Sequence, residues 1–138
     1  MTQGTRLGSA VMFVQDLGRS VSFYTEVLAM EVADHSVTAA LLISAAGTQL
    51  VLRAMGSSAA HALGSVGVQY VIWTAAGDDD LRRCQQALER RSAYIDTRTS
   101  GRVAVVEGRD PDNITVMISY PGPDQVPLTE LPVRIYGW

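Results

Sequence analysis

The sequence predicts an α+β fold built from two βαβββ modules. Three observations carry that prediction. The chain repeats itself: Ser9-Ala10-Val11-Met12-Phe13-Val14 and Gln69-Tyr70-Val71-Ile72-Trp73-Thr74 each read as a strand, and each leads into a helix. Each helix is followed by about three strand-like segments. A length of 138 residues suits one domain with a real core and hardly two. The expected plan is a single domain over 1–138, with module one at about 7–55, a linker at about 56–65, module two at about 66–121 and a C-terminal extension at 122–138.

The first helix is expected to start at Asp16, whose carboxylate can accept orphan backbone N–H groups. Leu17, Val21, Tyr24 and Leu28 fall at helical spacing and predict its apolar stripe. Segments 30–35, 39–44 and 49–53 follow as strands, the last two joined by a turn at Gly47-Thr48. The second helix opens with Asp78-Asp79-Asp80 and closes with Arg90-Arg91, which suits the helix dipole at both ends. Consecutive carboxylates on a helix point in different directions, so the Asp run reads as a solvated terminus rather than a metal site. Leu81, Cys84 and Leu88 predict the buried stripe. Segments 94–99, 103–107 and 114–120 follow as strands, with turns at Ser100-Gly101 and Asp110-Pro111-Asp112-Asn113. The weakly patterned 56–64 reads as the linker. The Pro-rich tail from Pro121 ends in Val133-Arg134-Ile135-Tyr136-Gly137-Trp138, an aromatic cluster expected to be tied down by packing.

Composition excludes several function classes. Net charge is −3, and no basic stripe follows a phosphate backbone, so nucleic acid is not an expected partner. No apolar run is long enough to cross a bilayer, and the N-terminus lacks the layout of a signal peptide. The expected location is cytoplasmic. Cys84 is the only cysteine, so no internal disulfide forms, and its place on an apolar helix face predicts a buried, inert thiol. All 11 basic residues are Arg; without Lys, neither a Schiff base nor a lysine general base is available.

Val14-Gln15-Asp16-Leu17-Gly18-Arg19-Ser20-Val21-Ser22-Phe23-Tyr24-Thr25-Glu26-Val27-Leu28-Ala29-Met30 resembles the opening of the vicinal oxygen chelate superfamily (glyoxalases, bleomycin resistance proteins and extradiol dioxygenases). Asp110-Pro111-Asp112-Asn113 before a strand is similar to that superfamily's late turn. The resemblance covers roughly residues 7 to 121. It implies a cupped mixed sheet with its site on the concave face. It also implies four metal-ligand positions, which fall on Ser9, Val51, Gln69 and Met117. A divalent first-row metal wants imidazole, carboxylate or thiolate donors, and none of the four supplies one. The expectation is therefore a site without metal or other cofactor.

Strand side chains alternate, so each of these positions sets the face of its strand. The expected ligand-binding residues are Ser9, Val11 and Phe13 on the first strand and Gln49, Val51 and Arg53 on the last strand of module one. In module two they are Gln69, Val71 and Trp73, then Thr115, Met117 and Ser119. No catalytic residue is assigned. Apolar and aromatic groups here suit a flat or conjugated ligand, and Arg53 suits stacking or an anionic group.

By resemblance to metal-free bleomycin-resistance-like members, the expected function is sequestration of a hydrophobic or aromatic natural product or antibiotic, giving self-resistance. The protein is then a small-molecule-binding homodimer and not an enzyme. The alternative is a metal-free isomerase, cyclase or lyase, which needs a general acid or base; Glu107, Asp96, Tyr70, Tyr94 and Tyr120 are the candidates. A glyoxalase-like metalloenzyme with atypical ligands, or a domain serving only in assembly, are further readings.

Overall fold

Asp16 starts the first helix as its side chain requires: Oδ1 accepts the Arg19 backbone N–H at 2.9 Å. The computed structural model describes residues 4–58 and 66–126. Part of the expected linker, with His61, and the tail with its terminal Tyr136 and Trp138 lie outside the described residues. The element order is β1 (Ser9–Val14), α1 (Leu17–Val27), β2 (Glu31–His35), β3 (Ala39–Ile43), β4 (Gln49–Ala54), β5 (Ile72–Thr74), α2 (Asp78–Arg90), β6 (Tyr94–Ser100), β7 (Val103–Arg109) and β8 (Thr115–Tyr120). The βαβββ order therefore occurs twice. The chain divides into two compact units, Met1–Ala60 and His61–Trp138.

The first unit holds a four-stranded sheet in the order β1-β4-β3-β2. β1 runs parallel to β4, and the other pairs are antiparallel. Alternation puts Leu50 and Leu52 on one face, with Ala40 and Leu42 beside them, all buried. Helix α1 packs on β3 and β4. Its buried residues are Ser20, Phe23, Tyr24 and Val27. The stripe expected from Leu17, Val21 and Leu28 is thus turned by about one residue, and only Tyr24 is shared. The T-shaped Phe23–Tyr24 pair, with centroids 5.0 Å apart, fixes that rotation, because two large rings gain more from burial than the aliphatic set beside them.

The second unit repeats the plan as β5-β8-β7-β6. Helix α2 buries Leu81, Cys84, Ala87 and Leu88, which include the expected stripe. Gly77 caps it without a side-chain hydrogen bond. Asp79 and Asp80 pair with Arg82 and Arg83 one turn on, the solvated-terminus reading of the Asp run. Gly108 on β7 lets α2 approach closely. A Cβ there would lie 2.7 Å from Leu88 Cδ2 and 2.9 Å from the Ala93 carbonyl oxygen. Gly108→Ala is expected to cost about 1–3 kcal/mol, read as a lower denaturation midpoint with an unchanged m value.

Cys84 is 2% exposed. Burial pushes its thiol from 9.0 up to about 11, with Arg83 opposing and Asp80 assisting. The raised value favours the protonated folded state. Its stabilisation is complete below pH 9.0 and is lost as pH rises toward about 11. Native protein should therefore resist thiol reagents near neutral pH and react only on unfolding. Rapid labelling of folded protein would contradict this.

One edge strand of each sheet shares a detail. β2 has a bulge between Val32 and Asp34, and β6 has one between Tyr94 and Asp96. Asp34 Oδ1 accepts the His35 backbone N–H at 2.8 Å, and Asp96 Oδ1 accepts the Thr97 backbone N–H at 2.9 Å. Asp34 thus serves the His35 backbone in its bulge.

Candidate functional site

In the first unit, β1 pairs with β4 so that Ser9 lies opposite Gln49, Val11 opposite Val51 and Phe13 opposite Arg53. All six expected residues of this module therefore share one sheet face, the one turned away from Leu50 and Leu52. β3 continues it with Ile43, Leu41 and Ala39. The face is open within its unit: Val11 is 64% exposed and Phe13 62%. Ser9, Gln49 and Arg53 are exposed too, and Val51 is half-buried between its neighbours. An aliphatic strip with one ring and a cation at the end of its row can bind an apolar, planar surface and orient it.

The second unit departs from expectation. β5 pairs with β8 so that Ile72 lies opposite Met117, Trp73 opposite Ile118 and Thr74 opposite Ser119. Ile72 and Thr74 thus share the face of Met117, and Trp73 is on the other face. The assumed equivalence of Ser9, Val11 and Phe13 with Gln69, Val71 and Trp73 is out of step by one residue. The cause lies in packing: Tyr70 and Ile72 pack against Val103, Val105, Met117 and Val126, which holds β5 in that register. Gln69 and Val71 precede the strand, and Gln69 Nε2 donates to the Gly67 carbonyl at 3.0 Å.

Thr115, Met117 and Ser119 do share a face, as alternation requires. That face is core in this unit. Met117 is 3% exposed and Ser119 is fully buried. The start of the C-terminal extension covers it: Val126 joins the Met117 cluster, and the Gly122 backbone approaches Thr74 so closely that a Cβ would lie 2.3 Å from Thr74 Oγ1. Met117 and Ser119 therefore fill their own module instead of offering open surface.

The sequence offers Glu107 and Asp96 only as candidate acid–base groups; the structure joins them with Arg98 and Arg109 in a charged cluster on this same face. Glu107 faces Met117 across the β7–β8 ladder and Asp96 across the β6–β7 ladder. It is 1% exposed. Arg98 Nη2 donates to its Oε1 at 3.0 Å, and Arg109 Nη2 lies 3.6 Å from its Oε2. Arg98 Nε also lies 3.5 Å from Asp96 Oδ2. Arg109 Nη1 donates to Thr115 Oγ1. Arg98 Nη1 and Ser119 Oγ are buried with no hydrogen-bond partner. The signal available in the sequence was the one carboxylate in the run Val103-Ala104-Val105-Val106-Glu107-Gly108. It reads as a strand end only if β7 stops there; β7 continues to Arg109, which makes Glu107 an interior residue.

Ser9 and Val51 in the first unit, and Gln69 and Met117 in the second, do not fit a divalent metal, because they supply no imidazole, carboxylate or thiolate. Moving β5 by one residue brings in Tyr70 and Ile72, which do not change this.

The sequence profile of the Glyoxalase/Bleomycin resistance protein/Dioxygenase superfamily matches residues 6–118. The chain belongs to that superfamily. Comparison with curated proteins gives no match. Among solved structures, the chain is similar to a glyoxylase/bleomycin resistance protein/dioxygenase domain from Frankia sp. EAN1pec, with TM-score 0.70 and 21% identity over 86% of this chain and 98% of that one. It is similar to a glyoxalase/dioxygenase from Nostoc punctiforme, with TM-score 0.72 and 14% identity over 83% and 89%. It is similar to the fosfomycin resistance protein FosX from Mesorhizobium loti, with TM-score 0.66 and 12% identity over 91% and 98%. At these identities the likeness is one of fold. No helix among the described residues is long and apolar enough to cross a membrane.

Proposed function

We propose that this protein binds a hydrophobic, aromatic small molecule without a metal and holds it unchanged, acting as a cytoplasmic homodimer that confers self-resistance to a natural product. The observation that supports this best is the open face of the first module, where Val11 and Phe13 stand exposed beside Val51 and Arg53. Large apolar side chains grouped on one exposed surface mark an interaction site. Resistance to an antibiotic is a role that the fold supports elsewhere, as the name of the fosfomycin resistance protein states. The second module adds no open apolar surface from Met117 and Ser119 in this reading, since both are buried.

The test is a calorimetric screen against bleomycins, enediynes, mitomycins and anthracyclines, followed by mass spectrometry of the recovered compound. Recovery of unchanged ligand supports sequestration. A converted product supports the alternative, a metal-free isomerase, cyclase or lyase. That alternative needs a proton-transfer group, and Glu107 and Asp96 are both engaged by Arg98. For a ligand found in the screen, Phe13→Ala is expected to weaken binding about tenfold or more, since burying a Phe ring contributes about 1.5–3 kcal/mol. Its melting temperature should hardly move, because Phe13 is exposed. Unchanged affinity in that variant would remove this face from the site.

A further inference from the structure

The cluster around Glu107 has more cation than its structural role uses. One guanidinium is enough to neutralise a buried carboxylate, yet Arg98 and Arg109 both address Glu107, from β6 and from β7 itself. Both reach it on one sheet face, because Arg98 lies opposite Val105 and Arg109 opposite Thr115, the rows on either side of Glu107. A guanidinium presents five N–H donors in a planar fork. On Arg98, Nη2 serves Glu107 and Nε faces Asp96, while Nη1 is buried with no acceptor. A buried charged donor left without an acceptor is costly. Asp96 only partly offsets the second cation, being 54% exposed and 3.5 Å from Arg98 Nε.

We propose that Arg98 and Arg109, braced by Glu107, form an oxyanion subsite in the second module that takes the carboxylate or phosphoryl group of a small molecule. Arg98 supplies Nη1 in a place of low dielectric, where a charge-assisted bond is strongest. Arg109, hydrogen-bonded to Thr115, adds the second positive charge. The side chains keep 20% and 29% of their surface open; Nη1 itself is buried, so the anion meets Arg109 and the open part of the Arg98 side chain first and gains Nη1 as that fork turns toward it. Glu107 is a positioning residue: it fixes both forks and does not touch the ligand. The subsite does not depend on the apolar face of the first module, so either assignment stands if the other fails.

The experiment follows the arginine Nε–Hε signals of the full chain by NMR during titration with sodium phosphate and, separately, sodium acetate, with sodium chloride at equal ionic strength as the control. A saturable shift at Arg98 and Arg109 with either anion, absent with chloride, is expected, and the anion that produces it assigns the class. Arg98→Lys keeps a cation beside Glu107 and removes the fork; with its backbone spectrum otherwise unchanged, it should bind the anion about tenfold more weakly. Arg109→Gln provides an independent loss of charge if Arg98→Lys fails to fold. Shifts that never saturate, or that chloride reproduces, overturn the proposal. So does a folded Arg98→Lys with unchanged anion affinity.

Discussion

Glu107→Ala is expected to cost the protein about 3–5 kcal/mol, the loss typical of breaking a buried ion pair by removing one partner. The reason is less the lost attraction than what remains. Arg98 keeps a mostly buried guanidinium whose main acceptor is gone, and Arg109 keeps only Thr115 and solvent. Such a loss is a large fraction of the stability of a chain this size. Arg98 and Arg109 are each about a fifth to a third exposed, so water entering the site pulls the cost toward the lower end. The pair Glu107→Leu with Arg98→Met should be less damaging than Glu107→Leu alone, because it removes the more buried of the two cations left behind, and Arg109 keeps Thr115 and solvent. Urea denaturation of the variants measures this. A loss below about 1 kcal/mol for Glu107→Ala is the range of a surface ion pair and would show that the cluster is not buried as described.

Leu88→Ala is expected to lower stability by about 2–5 kcal/mol. Leu88 is fully buried on α2 and faces Gly108 of β7. A residue without a side chain cannot move in to fill the space, so the cavity persists. The coupling with Gly108→Ala tests the geometry. The Cβ added at position 108 meets both Leu88 methyls. In the Leu88→Ala background that clash disappears, and the contact with the Ala93 carbonyl at 2.9 Å remains. The double variant should therefore be more stable than the sum of the two losses by about 0.5–3 kcal/mol. Strict additivity would mean that Leu88 and Gly108 do not touch.

The repeated βαβββ order was legible in the sequence because each helix carries a cap or charge signal and each strand is bounded by turn residues. Asp16 as cap and Leu81, Cys84 and Leu88 as the stripe of α2 are where local chemistry places them. The face of β4 was also legible, since Gln49 and Arg53 alternate with Leu50 and Leu52. β5 was not. The run Tyr70-Val71-Ile72-Trp73 is apolar throughout, so alternation cannot say which residues face the helix, and three paired residues leave long-range packing to set the register. The repeat matches Trp73 with Phe13 and so predicts it on the face of Met117; the ladder puts Ile72 there instead. The burial of Met117 and Ser119 was hidden for a related reason: it depends on a segment near residue 126 reaching back over β8, which no local pattern reports. The Glu107 cluster joins residues from three strand rows, a relation that only the register of β6, β7 and β8 reveals.

The paired bulges in β2 and β6 have a consequence for solubility. Each is the outermost strand of its sheet on that side, and a bare edge is a template onto which a foreign strand can zip. The bulge throws the ladder out of step at that point and bends the strand. Asp34 and Asp96 also occupy the backbone N–H groups of His35 and Thr97, leaving a carboxylate where an incoming chain would dock. Each module thus guards this edge of its sheet against growing a fifth strand. A polar substitution at either Asp that frees the N–H, with no effect on the core, would be felt first as a tendency to aggregate on storage.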